Sequence, residues 1–506
     1  MASRRGALLA AFIATVMTHS ICAQTLMDAA RAGDSGQALE LLKQGADASE
    51  RMSDGTTALH WAVYNDDEAL VTRLLKAGAD VNARNDYGSS PLLEAGEHGN
   101  VRIIKRLLDA GADVESANLE GQTALMTVAR TSHVDAARLL LDRGANVNAR
   151  GSFRGQTALM WAAAQSQPAM TELLVQRGAE VDARSDIKVW PRQVTAEPRP
   201  QNRPSGGLTA LLLAAREGCA GCARALVEGG ANIDLSDPDN ITPLLMATLN
   251  ARWDAAAYLI DAGANVNKWD TWGRAPLYST VDYNTVPRGG RPDRPSWDDT
   301  TPLEVMSKLL AKGANPNMQL KLFPPYRSLG QDRGGDNMLT IGTTPLIRAA
   351  KAGDTDSIKL LLEYNALPNL PNSLGITPMM SAAGLGSTLI DIRARFRNEA
   401  QCIAAAQLLL GAGADVNGGR NDGQTALHAA AFWGWTEFAR FLVENGAEIN
   451  AKDNEGNTAL DYALGKVISS MRLRQGDMAP HPETAALLQM HGARSFHETS
   501  AGEQGT

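Results

Sequence analysis

The chain has 506 residues and a formal net charge of −8, with 44% hydrophobic but only 5% aromatic residues. One compact core does not extend over such a length, and the acidic balance argues against nonspecific nucleic-acid binding. Charged residues make up 21%, which does not fit a disordered polyelectrolyte, and four cysteines cannot form the disulfide framework of so long a chain.

The first element is a targeting segment. Arg4 and Arg5 precede an apolar run from Gly6 to Met17, followed by the polar Thr18, His19 and Ser20. A basic end, a short apolar core and a polar end form the pattern of an export signal, and the run is too short to anchor in a membrane. Cleavage after Ala23 is expected, although Ile21 is larger than usual at its position. Residues 1–23 are therefore read as a signal peptide, and the mature protein is expected to be periplasmic or secreted, with no membrane span after processing. Removing them takes away two Arg and no acid, so the mature charge is −10. The mature cysteines are Cys219, Cys222 and Cys402.

The rest of the chain repeats itself. Thr57-Ala58-Leu59-His60 is an anchor with equivalents starting at Ser90, Thr123, Thr157, Thr209, Thr242, Ala275, Thr344, Thr377, Thr425 and Thr458. Seven of the ten intervals are 33 or 34 residues, so one supersecondary unit is reused. A glycine 21 residues after the anchor, as at Gly78, Gly111, Gly144, Gly178, Gly230, Gly263 and Gly446, closes a Leu-rich segment. Thr or Ser is read as the cap of a first helix, with Pro91, Pro243, Pro276, Pro345 or Pro378 in its first turn, where no amide donor is needed. Ala pairs let helices approach closely. A second helix carries Leu pairs such as Leu74-Leu75 and Leu107-Leu108, and the glycine ends it in a left-handed conformation. A polar stretch rich in Asp, Asn and Gly then leads to the next Thr.

The run from Asp54 to Asn82, with Thr57-Ala58-Leu59-His60-Trp61-Ala62 and Gly78-Ala79-Asp80-Val81-Asn82, resembles an ankyrin repeat, and so does Asn421 to Asn450. The resemblance covers almost the whole mature chain. It implies an all-α solenoid of helix-turn-helix repeats joined by short hairpin fingers, about twelve repeats over residues 24–492, of an exported, bacterial type. Gly45 lies 21 residues after Gln24, and Gln24 lies 33 before Thr57, so cleavage after Ala23 leaves a capping unit at the new N-terminus. The first-helix His of the family survives only at His60 and His428, and His98 and His133 fall in the interhelix turn.

Five breaks in the period mark insertions, near residues 186–205, 284–300, 318–341, 385–400 and 470–482. The first and third lengthen fingers; the others lie between the two helices of a unit. Several combine Arg with an aromatic residue, as Phe323 with Arg327, Arg291 with Trp297, and Arg395 with Phe396. Such residues are enriched at interface hot spots, and surface loops also tolerate length for no purpose. Residues 493–506 are expected to form a flexible tail.

No phosphate loop, zinc-protease motif, nucleophile elbow or EF-hand loop is present, and no His pair has metal-ligand spacing. Neither a catalytic residue, a metal nor a cofactor is expected, and the chain is not read as an enzyme. Cys219-Ala220-Gly221-Cys222 leaves three readings open: a local disulfide, packing thiols, or a redox dithiol at a helix N-terminus. Cys402 is expected to pack as a small hydrophobe.

In ankyrin stacks the partner contacts the fingers and the exposed end of the first helix. Carried onto this sequence, that surface holds Tyr64 with Asn65, Tyr87, Phe153, Arg154, Trp272, Arg274, Tyr283, Phe432 and Trp433. The expected function is a monomeric, noncatalytic exported scaffold that binds a protein partner. A redox factor using Cys219 and Cys222, and an effector delivered to a host cell, are the alternatives.

Overall fold

A computed structural model describes residues 25–192, 201–284, 298–322, 340–385, 398–467 and 479–496. The expected signal peptide, and the insertion residues Arg288, Arg291, Arg294, Trp297, Phe323 to Arg327, Arg393, Arg395, Phe396 and Arg397, lie outside this set. The chain divides into two compact units, Met1–Asp186 and Ile187–Thr506.

In the first unit, first helices α1 (Leu26–Ala32), α3 (Ala58–Tyr64), α5 (Pro91–His98), α7 (Ala124–Thr131) and α9 (Ala158–Ala164) form one row. The second helices α2 (Ser35–Lys43), α4 (Glu68–Lys76), α6 (Val101–Asp109), α8 (Val134–Asp142) and α10 (Pro168–Gln176) form another, each packed on its neighbours. The second unit opens with a two-stranded antiparallel ribbon, β1 (Lys188–Arg192) paired with β2 (Gln201–Ser205). It continues with first helices α11 (Ala210–Glu217), α13 (Pro243–Leu249), α15 (Pro276–Asn284), α17 (Pro345–Ala352), α19 (Pro378–Ala382), α21 (Ala426–Trp433) and α23 (Ala459–Ala463). They alternate with second helices α12 (Ala220–Glu228), α14 (Trp253–Asp261), α16 (Pro302–Ala311), α18 (Thr355–Glu363), α20 (Glu399–Gly411), α22 (Thr436–Glu444) and α24 (Pro482–Met490). Each unit is thus an all-α solenoid segment whose core lies between its two helical rows.

The periodic residues do local work. Thr209 Oγ1 accepts the Leu212 N–H at 3.2 Å, and Thr344 Oγ1 accepts that of Ile347 at 3.2 Å, as helix caps. The first described helix, α1, is capped by Thr25, with Asp28 returning the bond. Gly78 ends α4 at φ +90°, and a Cβ there would meet nothing within 4 Å. The glycine is needed for its left-handed backbone rather than for space.

The Asn that closes the Gly-Ala-Asp-Val-Asn stretch ties one repeat to the next. Asn82 Nδ2 donates to Gly111 O (3.1 Å) while its Oδ1 accepts from Asp113 N (2.8 Å). Asn417 does the same with Gly446 O (3.0 Å) and Glu448 N (2.7 Å), and Asn450 with Gly492 O and Arg494 N. Glu115 and Asp234 stand in this slot without an amide donor and accept only, from Asn146 N and Asn265 N.

The structure adds three details to the sequence reading. Most regular fingers are tight turns, as where Asn85 N donates to Ser89 O, and paired strands among the described residues occur in the 186–205 insertion. A ribbon of two strands has only edges, which tolerate Pro191 and Pro204. Within the segment expected to be a tail, Ser495 is buried and Phe496 N donates to Asp461 Oδ2 at 3.0 Å, so residues 495 and 496 pack on the last repeat, and residues 497–506 lie outside the described set. Finally, the 284–300 insertion returns to cap its neighbour, since Asp298 Oδ2 accepts the Trp253 N–H at 2.9 Å.

Candidate partner-binding site

In the first unit the fingers stack on one another through backbone bonds. Asp86 N donates to Asp54 O, Ser152 N to Glu120 O, and Asp186 N to Arg154 O, each at 2.8 Å. The approach is close: a Cβ on Gly121, at φ +72°, would lie 2.6 Å from Ser152 N. This stacking fixes what the finger tips carry. Tyr87 is 71% exposed and Phe153 56% exposed, on fingers separated by the one that carries Leu119, which is 76% exposed. Arg154 is exposed, with its guanidinium 5.2 Å from the Phe153 ring centroid. Leu119 was not among the residues expected from the sequence. Its signal is an apolar residue at the tip of an Asn-x-x-Gly turn, where Asn118 holds the turn by accepting from Glu120 N and Gln122 N.

Tyr64 is also exposed, at the end of α3, edge-on to Trp61 and His98. Neighbouring Asn65 spends its amide on the repeat before it, donating to Ala30 O at 2.8 Å.

In the second unit the expected residues are packed rather than displayed. Trp272 is 6% exposed, so it is not a surface aromatic. The chain entering the third insertion lies against its finger: Lys321 N and Leu322 N both donate to Trp272 O, and a Cβ on Gly273 would sit 2.6 Å from Lys321 N. Arg274 is consumed internally. Its guanidinium pairs at 2.7 Å with the fully buried Asp270 and lies 5.1 Å from the Trp272 ring centroid. The exposed aromatic of this finger is instead Trp269, with Lys321 Nζ 3.3 Å from its ring centroid. Asp237, in the preceding finger, is pushed up to about 6 by burial and by the nearby Asp239 and Asp270, against the bonds it accepts from Ile241 N and Asp239 N.

Tyr283 is half-buried, edge-on to the buried Trp253 at 5.4 Å. Phe432 and Trp433 are half-buried as well. Trp433 Nε1 donates to Gly384 O at 3.0 Å, and its ring stacks on Trp435 and meets Phe432 edge-on. These aromatics join adjacent repeats. The face expected to run along the whole chain is therefore open at Tyr64, Tyr87, Phe153 and Arg154, and closed or shared at the others.

Cys219 and Cys222 are joined by a disulfide, and the Cys402 thiol is buried. His60 and His428 complete helix caps. His428 Nδ1 accepts from Thr425 N (3.0 Å), and Nε2 faces Asn457 O (3.3 Å), which can only accept, so Nε2 carries the proton. Among the described residues no group of three or more His, Cys, Asp or Glu could hold a metal ion, and no helix is long and apolar enough to cross a membrane.

The comparisons with known proteins agree with this architecture. A family model described as ankyrin repeats (3 copies) matches residues 26–118, 103–185, 192–270 and 395–471, and a single ankyrin repeat matches 341–373. Rabankyrin-5 of Mus musculus is 29% identical over 210 residues, covering 40% of this chain and 16% of that protein. Ankyrin-repeat proteins are generally nonenzymatic scaffolds for protein–protein interaction. With matched segments extending over more than half of its length, the chain belongs to the ankyrin-repeat family.

Proposed function

We propose that this protein is a noncatalytic, exported scaffold of about twelve ankyrin repeats, monomeric, that binds a protein partner through the finger tips of its first unit. The observation that carries the reading is the exposure of Tyr87, Leu119 and Phe153 on three consecutive fingers, the first two in close approach where a Cβ on Gly88 would lie 2.9 Å from Leu119 N and the last two joined by the bond from Ser152 N to Glu120 O. The stacked fingers hold the main chain beneath these side chains in place, so binding them costs little ordering of backbone. Large apolar residues on a rigid, water-facing edge are the usual material of an interface core, and Arg154 beside Phe153 adds a side chain common at hot spots. Export rests on the N-terminal pattern of Arg4, Arg5 and the Gly6–Met17 run.

The test compares the full chain with a Tyr87→Ser, Leu119→Ser, Phe153→Ser variant as bait, in extracts of the exported fraction. The variant should lose the captured protein, with each hot-spot aromatic worth about 2 kcal/mol or more, while helicity by circular dichroism is unchanged. Equal capture by both baits would place the binding surface elsewhere. N-terminal sequencing should return Gln24, and Met1 in its place would end the export reading.

A further inference from the structure

The Cys219–Cys222 bond lies at the start of α12, and its two sulfurs occupy unlike surroundings. Cys222 is fully buried, on the face that α12 turns into the core with Ala223 and Leu226. Cys219 is half-exposed and is the N-cap residue of the helix. Its Sγ accepts the Cys222 N–H at 3.1 Å.

Other repeats show what this slot accommodates. At the same step before the second helix, Asp34 Oδ1 accepts from Gln37 N (3.0 Å), Asp67 Oδ1 from Leu70 N (2.9 Å) and Asp354 Oδ1 from Ser357 N (3.1 Å). Three second helices thus carry a carboxylate at this position, where the unpaired N–H groups and the dipole of the helix favour a negative charge, while other repeats cap it with residues such as Arg252 or His133. A Cys219 thiolate would inherit those interactions. Arg252 packs over the residue before it, so that a Cβ on Gly218 would lie 2.8 Å from Arg252 Cδ, and Arg252 Nε donates to Arg216 O. The Arg216 guanidinium is itself paired with Glu217 at 2.9 Å.

As a structural brace the bond is redundant. It spans three residues of one helical turn and ties no repeat to another. The capping it offers is supplied elsewhere by an ordinary Asp.

We propose that Cys219 and Cys222 form a thiol–disulfide exchange site, in which Cys219 is the sulfur that reacts with an external thiol or disulfide and Cys222 is the resolving thiol. In the reducing direction an external thiolate attacks Cys219 Sγ, the Cys219–Cys222 bond breaks, and Cys222 leaves as a thiolate that takes up a proton. A second thiol then attacks the external sulfur of the mixed disulfide and releases Cys219. Two thiols are oxidised to one disulfide, and the protein disulfide is reduced by two electrons. In the opposite direction the Cys219 thiolate attacks an external disulfide and expels one thiolate. Cys222 then attacks Cys219 Sγ and expels the other. The substrate class is a small or protein-borne thiol or disulfide. The inference does not depend on the partner-binding reading, since the finger tips of the first unit take no part in it.

The experiment uses the full chain in buffers of reduced and oxidised glutathione, and in parallel with the dithiol dithiothreitol. Acid quenching, alkylation and peptide mass analysis read the state of each cysteine. Cys402, whose thiol is buried, serves as the internal reference for unfolding. The pair should interconvert reversibly while Cys402 stays unlabelled, and in the reduced chain Cys219 should alkylate about tenfold or more faster than Cys222. In a Cys222→Ser variant, oxidised glutathione should add to Cys219. In a Cys219→Ser variant, Cys222 should take up at least about tenfold less. Exchange with dithiothreitol but not glutathione would restrict the substrate to dithiols within the same proposal. A disulfide that stays oxidised until Cys402 becomes reactive would overturn it, as would equal alkylation of the two sulfurs. If either variant fails to fold, the wild-type alkylation ratio decides alone.

Discussion

Replacing Asn417 with Ala should loosen the junction between its repeat and the next without touching the core. The side chain makes two bonds across that junction, from Nδ2 to Gly446 O at 3.0 Å and from Glu448 N to Oδ1 at 2.7 Å. Each is worth about 0.5–1.5 kcal/mol net, and solvent near the site favours the lower half of that range. The loss should total about 1–2 kcal/mol, a factor of about 5–30 in the local opening equilibrium. The converse change is available in the same protein. Asp234 fills this slot with an acceptor only, bonded to Asn265 N at 3.0 Å. Asp234→Asn adds the donor that can reach Gly263 O and should stabilise its junction by about 0.5–1 kcal/mol. Urea unfolding gives the sign of each change, and hydrogen exchange gives its location. Protection should fall at residues 446–450 for Asn417→Ala and stay unchanged at 26–45, because a solenoid's stability is a sum of repeat and nearest-neighbour terms. An equal loss of protection in every repeat, or no loss at 446–450, would refute the reasoning.

Two further outcomes follow from the packing and the caps. Phe438 is fully buried and stacked on the half-buried Phe441, so Phe438→Ala should cost about 3–5 kcal/mol and Phe441→Ala less than half of that; similar costs in thermal unfolding would contradict the burial argument. Burial holds the His428 and His60 imidazoles below their usual value of 6.5, against the bonds they make to Asn457 O and Ser89 O. The unfolded chain therefore takes up protons first, so this contribution to stability is full above about pH 6.5 and is lost as the pH falls towards the lower folded values. His428→Met, the residue already present at Met126, Met160 and Met380, should flatten that dependence, and an unchanged pH profile would show that the acid loss arises elsewhere.

The 33-residue period and its caps were legible in the sequence because they are local physics. A Thr that accepts from the third amide of its helix, a Pro with no amide to satisfy, and a Gly at positive φ each act within one helical turn, so Thr209, Pro345 and Gly78 announce their roles without knowledge of any neighbour. The Asn of Gly-Ala-Asp-Val-Asn was visible as a pattern but not as a tie, because its partners belong to the next repeat. The tertiary structure decided which aromatics face water. Tyr87 and Trp272 occupy corresponding fingers, yet one is open and the other is covered by the chain entering an insertion about 50 residues further on, at Lys321 and Leu322. It also decided that Arg348 and Lys351 are fully buried in α17, where Arg348 reaches back to Asp282 of α15 at 2.6 Å. Exposure and charge pairing depend on which segments are laid over a repeat, and the period, which is the same for every repeat, carries no information about that.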